Sequence, residues 1–267
     1  MKNILLTTDF SENSVDAIQI GIDLARKFNS KIYLFHQFTL PIANADYPEL
    51  IDFKYYEEIK QKQLDKLVSN LNLANLEIEK VMKVGFSLTD EVISFCKETK
   101  IDLIVMGLTG SSRISEIFMG SNSISLITHA PTPILAIPKD FKLNSNAKIA
   151  FAYDGKKIQN AKNTFDFLHK FSHAFDRKIA AFTVDTSKKD EIHYNKLKEF
   201  IPFEDFSFET ELNDNVDAGI LDYIANNKVE ILALIPRKHS FFDRLFHESH
   251  THEVAQSCQI PILVLPE

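Results

Sequence analysis

Three of the seven glycines in this 267-residue chain, Gly107, Gly110 and Gly120, fall within fourteen residues, and Ser121, Asn122 and Ser123 follow at once. Glycine permits positive φ and lets the backbone approach a ligand closely. A helix opening on Ser121 and Ser123 presents unpaired N–H groups, hydroxyl donors and the positive end of a dipole, which together suit phosphate. The apolar run Leu103 to Met106 before the glycines reads as a buried strand, the context a phosphate loop needs. No Gly-Lys-Ser/Thr follows, so the loop is not a Walker A loop, and the long gap between Gly110 and Gly120 excludes G-x-G-x-x-G. A glycine-rich connection without a ligand is the plain alternative.

The elements that would position this loop follow from periodicity. Asn3 to Thr8 is a first strand, and Asp9-Phe10-Ser11 leads into a helix reaching about Phe28, with Ser11 as N-cap. Val15, Ile18, Ile22 and Ala25 mark its buried face. Lys31 to Phe38 is a second strand, about Pro48 to Leu71 a long charged helix, Leu76 to Val84 a third strand and Leu88 to Lys97 a helix. Ser121 to about His129 and Ile134 to Ile137 complete a β-α-β-α-β-α-β-loop-α-β order, which implies parallel strands with helices on both faces. Right-handed crossovers put the ends of the first and fourth strands side by side, where ligands bind in such sheets. The fold thus brings Asp9 to the glycine loop; capping of the first helix is the plain alternative for Asp9.

A polar linker, Lys139 to Lys148, precedes a second pass through the same order. Strands are expected at Ile149 to Tyr153, Lys178 to Asp185, Phe206 to Leu212, Glu230 to Pro236 and Ile260 to Leu265. The intervening helices are Asn160 to Phe171, Asp190 to Phe200, Asn215 to Asn226 and Thr251 to Ser257. Counting back from Pro138 and Pro266 gives an offset of 128, under which Pro133 meets Pro261 and Ile134-Leu135 meets Ile262-Leu263. Gly107 then meets Ile235, Gly110 meets Lys238 and Gly120 meets Glu248, whereas Ser121 still meets Ser249. An internal duplication is the simplest account, with the glycine loop kept only in the first copy. The expected units are residues 1–141, with the intact loop, and 146–267, with a degenerate one.

The 30 Lys and Arg against 37 Asp and Glu leave a net charge of −7, which argues against broad binding of nucleic acid or anionic membranes. Apolar residues at 45% and charged residues at 25% are ordinary for a globular chain. No stretch approaches a membrane span, and the first residues hold too short an apolar run for a signal peptide, so a cytoplasmic location is expected. Cys96 and Cys258 lie in apolar patterns and read as buried free thiols.

The spacing Gly107-x2-Gly110-x9-Gly120-Ser121 resembles the nucleotide loop of the universal stress protein family. TTDFSENS after the first strand and the closing strands PTPILAIP and IPILVLP extend the resemblance over both halves. The chain therefore looks like a tandem member, with two doubly wound, five-stranded parallel-sheet α/β domains of Rossmann-like type paired as a pseudo-dimer. The resemblance implies an adenine nucleotide, ATP above all. Asp9 would contact the ribose or a bound Mg2+, beside Thr7 and Thr8. Gln37 or Phe38 would meet the adenine edge through the backbone, and Met106 would pack on the base, although core packing is the other account of Met106. Gly107, Gly110, Gly120, Ser121, Asn122 and Ser123 would hold the phosphates. Thr7 stands where many relatives have proline and Asn122 where many have valine. The closing strands of the family commonly pair across a dimer interface, a contact that the two halves here could make inside one chain, as a monomer or within a homodimer.

His239, His247, His250 and His252 cluster near Asp243 and Glu248, and His247 and His250 would share a helical face able to bind zinc. Exposed positions in a former nucleotide loop, contacting a protein partner, are the other reading. The neighbouring Phe241 to Phe246 run is read as core, with an exposed interaction patch as the other account. The loop presents no obvious general base, so at most slow ATP hydrolysis is expected. The leading expectation is an ATP-binding stress-response regulator whose second half is structural or binds a partner. A nucleotide-independent interaction protein is the alternative.

Overall fold

The computed structural model describes residues 1–40, 53–108, 121–144, 147–176, 178–186, 206–237 and 259–266. Gly110, Gly120, the start of the long charged helix, the helices expected at Asp190 to Phe200 and Thr251 to Ser257, the four clustered histidines, the Phe241 to Phe246 run and Cys258 lie outside the described residues.

Among the described residues ten strands form one sheet. In chain order they are β1 (Asn3–Thr7), β2 (Lys31–Phe38), β3 (Ile78–Val84), β4 (Leu103–Gly107), β5 (Ile134–Ile137), β6 (Ile149–Ala152), β7 (Ile179–Asp185), β8 (Phe206–Leu212), β9 (Ile231–Leu234) and β10 (Ile262–Val264). Their order across the sheet is β3-β2-β1-β4-β5-β10-β9-β6-β7-β8, a run of five followed by its mirror image. Every pairing within each run of five is parallel. The runs meet at β5 and β10, which pair antiparallel with Ile262 opposite Ala136, Leu263 opposite Leu135 and Val264 opposite Ile134. The closing strands thus make inside one chain the contact expected of them.

Helices cover both faces, as strands apolar on both sides require. On one face lie α1 (Glu12–Phe28), α2 (Phe53–Ser69) and α5 (Ala161–His173), packed through Ile18, Ile22, Leu64, Phe165 and Phe171 against Ile4, Leu6, Ile149 and Phe151. On the other lie α3 (Leu88–Thr99), α4 (Ser121–His129) and α6 (Val216–Asn227), whose Val92, Phe95, Leu126, Ile220 and Tyr223 meet Leu5, Phe35, Ile104 and Phe182.

Two local features aim α1 at the carboxyl ends of the strands. Ser11 is its N-cap, with its hydroxyl oxygen accepting from the Ser14 N–H at 3.2 Å. Gly21 lets the helix settle on β1, because a Cβ there would stand 2.2 Å from Cδ2 of Leu6. No helix among the described residues is long and apolar enough to cross a membrane.

Candidate functional site

β1 pairs with β2 on one side and β4 on the other, so the strand order reverses at β1 and leaves a crevice between the carboxyl ends of β1 and β4. The register sets Leu6 beside Val105, which brings the exit of β1 at Thr7 and Thr8 next to that of β4 at Met106 and Gly107. Thr7 and Thr8 are buried and Asp9 is exposed at the rim.

Side-chain bonds shape the turn that carries Asp9. The Thr8 N–H donates to the Phe35 carbonyl at 2.9 Å, which continues the β1–β2 ladder by one step. The Thr8 hydroxyl oxygen accepts from the Phe10 N–H at 3.0 Å and lies 3.1 Å from the Ser14 hydroxyl. Phe10 holds φ at 65°, a left-handed conformation that side chains disfavour. Oδ1 of Asp9 accepts from the Ser11 N–H at 3.0 Å and from the Ser11 hydroxyl at 2.5 Å. Asp9 therefore braces the capping residue and is not itself the cap.

On β2, Phe38 and Gln37 behave differently. The Phe38 carbonyl accepts from the Gly85 N–H at 3.1 Å, on the β3 side. The Phe35 carbonyl faces β1, and backbone groups alternate sides along a strand, so the N–H and C=O of Gln37 face the space past the end of β1. The Gln37 side-chain amide turns away and donates to the Gly85 carbonyl and, at 3.4 Å, to the Thr39 hydroxyl.

Gly107 does not hold positive φ. A Cβ at this position would stand 2.7 Å from Nδ2 and 3.1 Å from the carbonyl oxygen of Asn13, so the glycine admits the first turn of α1. Met106 is 2% exposed and belongs to the core on the α3 and α4 face. Ser123 is buried in the first turn of α4, and its hydroxyl lies 3.5 Å from the Gly107 carbonyl oxygen as donor, while Asn122 is exposed. Ser121 is the first residue of α4. Of the residues singled out in sequence, Thr7, Thr8, Asp9, Gln37, Phe38, Met106, Gly107 and Ser123 thus lie on elements that converge on one crevice.

Asn13, Ser14 and His36 also line this region and escape a reading of the sequence. His36 carries the clearest signal, a polar residue on the alternation face of β2 shared with Leu34 and Phe38. Burial, first of all, pushes the His36 imidazole below its ordinary range, with Lys60 acting in the same direction and the Thr8 carbonyl and Asp9 against it.

Among the described residues no three His, Cys, Asp or Glu side chains gather into a metal site. A divalent cation here would arrive on a ligand's phosphates and take Asp9 as a single oxygen ligand, a donor type that suits Mg2+.

The second run of five treats its own crevice differently. Asp154, which follows β6 as Asp9 follows β1, receives Nη1 of Arg237 at 2.5 Å, and Nη2 of Arg237 donates to the Lys157 carbonyl at 2.7 Å. Arg237 follows β9, where the first half has its glycine loop after β4. An internal cation therefore meets the carboxylate at this second crevice.

The sequence pattern of the universal stress protein family matches residues 1–138. A universal stress protein of Synechocystis is 25% identical over 98% of this chain and 99% of its own length. The crystal structure of a universal stress protein from Archaeoglobus fulgidus superposes with a TM-score of 0.68 at 18% identity, covering 99% of this chain and 98% of that one. A universal stress protein solved in complex with cAMP aligns with 51% of this chain and 96% of its own, at 22% identity and a TM-score of 0.40.

Proposed function

The chain belongs to the universal stress protein family, and from that membership we propose that it is a cytoplasmic stress-response regulator that holds an adenine nucleotide, ATP foremost, in residues 1–141. Residues 146–267 serve as a structural or partner-binding unit. The observation that carries this reading is the crevice at the β1–β4 reversal, where the Asp9 carboxylate, the free-facing main chain of Gln37 and the exit of β4 into the glycine loop converge.

The chemistry of each group supports the assignment. A main-chain N–H and C=O on Gln37 match the donor and acceptor on an adenine edge, and Phe38 and the buried Met106 supply apolar floor beneath it. Asp9 would take the ribose hydroxyls or a Mg2+ carried by the phosphates. Gly107 and Gly110, Gly120, Ser121, Asn122 and Ser123 would hold the phosphates at the start of α4. In the second half the Arg237–Asp154 pair supports a single working site.

The test is calorimetric titration with ATP and Mg2+ of the whole chain and of a Gly110→Val, Gly120→Val double variant. About one nucleotide per chain, lost in the variant, is expected. Two per chain would mean that the second crevice also works. No heat and no thermal shift at millimolar ATP would end the nucleotide reading. Nucleotide-independent partner binding would then lead.

A further inference from the structure

His36 is 4% exposed and lies between two aromatic rings. The Phe10 ring centroid is 4.3 Å away at an interplanar angle of 47°, and the Phe38 ring stacks at 6.0 Å and 12°. Nδ1 of His36 is 2.8 Å from the Thr8 carbonyl oxygen. A carbonyl only accepts, so Nδ1 carries the proton and Nε2 of the neutral ring is an acceptor. Nε2 is buried and has no hydrogen-bond partner.

These contacts converge on the backbone that presents Asp9. The Thr8 carbonyl is tied down by the Nδ1–H, and the Phe10 ring rests on the imidazole while Phe10 itself sits at φ 65°. A left-handed conformation at a non-glycine residue costs about 1–2 kcal/mol, so the turn needs such outside support. We infer that His36 is a proton-linked clamp on the ligand-presenting turn: the neutral ring holds Thr8 and Phe10 so that Asp9 faces the crevice, and a proton on Nε2 releases them. The clamp rests on the reading of that turn as part of the nucleotide site.

Protonation would create a buried N–H cation with no acceptor, a cost that the faces of the neighbouring rings offset only in part. Lys60 of α2, whose ammonium stands 5.8 Å from the Phe10 ring centroid, adds repulsion, and Asp9 on the turn adds attraction. Rotating the ring toward water relieves the charge. The same rotation withdraws the Nδ1–H from Thr8 and the imidazole face from Phe10. Since the folded-state pKa lies below the ordinary 6.5, the contribution of the clamp is complete above pH 6.5 and declines as pH falls from there toward the folded value.

The test compares the whole chain with a His36→Asn variant, whose side-chain amide can donate as Nδ1–H does but does not titrate. Binding of ATP with Mg2+ is measured at about pH 7.5 and 5.5, and the ligand's own ionisation cancels in the ratio of the two proteins. The variant, which lacks the imidazole face under Phe10, should bind more weakly at the higher pH, and that deficit should narrow as pH falls toward the folded value of His36, since only the wild type then loses its clamp. Without nucleotide, nitrogen NMR should show His36 as the Nδ1–H tautomer, with the Asp9 and Phe10 amide signals moving as the ring titrates. A His36 ring that titrates while those amides stay still, or identical pH profiles for the two proteins, would overturn the clamp. If neither protein binds nucleotide at the higher pH, the nucleotide reading fails while the amide titration still decides the clamp. If the variant does not fold, the wild-type titration decides it.

Discussion

Arg237 reaches from the end of β9 to Asp154 at the end of β6, with Nη1 2.5 Å from the carboxylate oxygen, and its side chain is 9% exposed against 35% for Asp154. The same two strand exits in the first half, those of β1 and β4, carry Asp9 and Gly107. Removing the guanidinium also leaves the Lys157 carbonyl without that donor. Arg237→Ala is expected to lower stability by about 1–2 kcal/mol, discounted for the exposed share of Asp154. Asp154→Asn, which keeps an acceptor, should cost less. Urea unfolding midpoints check both, and nucleotide stoichiometry in Arg237→Ala should stay at about one per chain.

Gly107 is expected to be intolerant for a packing reason. Alanine there would press its Cβ to 2.7 Å from Nδ2 of Asn13 and 3.1 Å from the Asn13 carbonyl oxygen. Gly107→Ala should cost about 1–3 kcal/mol. Adding Asn13→Ala should restore part of that loss and not all of it, because the carbonyl oxygen stays in place. A double-mutant cycle in urea reads the coupling directly.

Much of the fold is legible in the sequence because it follows from short-range pattern. The run KIYLFHQF, rich in aromatic and β-branched residues, is β2 over its full length, and Ser11 caps α1 where an Asp-x-Ser turn suggests it. The second copy is legible from the offset of 128 residues, and the β5–β10 joint from the family resemblance of the closing strands. What the sequence hides depends on partners brought together from afar. Gly107 reads as a glycine facing a ligand; that it must also make room for Asn13, on a helix more than ninety residues earlier, is not legible. Arg237 carries no motif, and its role exists only because β6 and β9 are adjacent. His36 stands out as polar in an apolar strand, but its bond to Thr8 needs the β1–β2 register.

Cys96 should be chemically silent in the native state. Burial pushes its thiol up to about 11 from 9.0, partly offset by a hydrogen bond with Thr132. Alkylation at about pH 8, mapped by peptide mass spectrometry, should be roughly a hundredfold slower at Cys96 than in urea. With the folded value the higher, the contribution of this thiol to stability is full below pH 9.0 and declines as pH rises from there toward about 11.

A fragment of residues 1–141 would uncover the β5 edge that β10 covers in the whole chain. An unpaired, apolar edge strand recruits another strand. The fragment is expected to form a dimer by light scattering through β5 against β5, and Leu135→Lys in it should shift the population to monomer.

The antiparallel seam between β5 and β10 has a consequence for how the two halves age. When such a seam joins separate subunits, its formation depends on dilution, and each change appears in both partners at once. Carried on one polypeptide, the seam forms at a fixed effective concentration however scarce the protein becomes. Each side can then drift alone. An Arg237–Asp154 pair at one crevice, where the other carries Asp9 and Gly107, is an asymmetry that two copies of a single gene product could not hold.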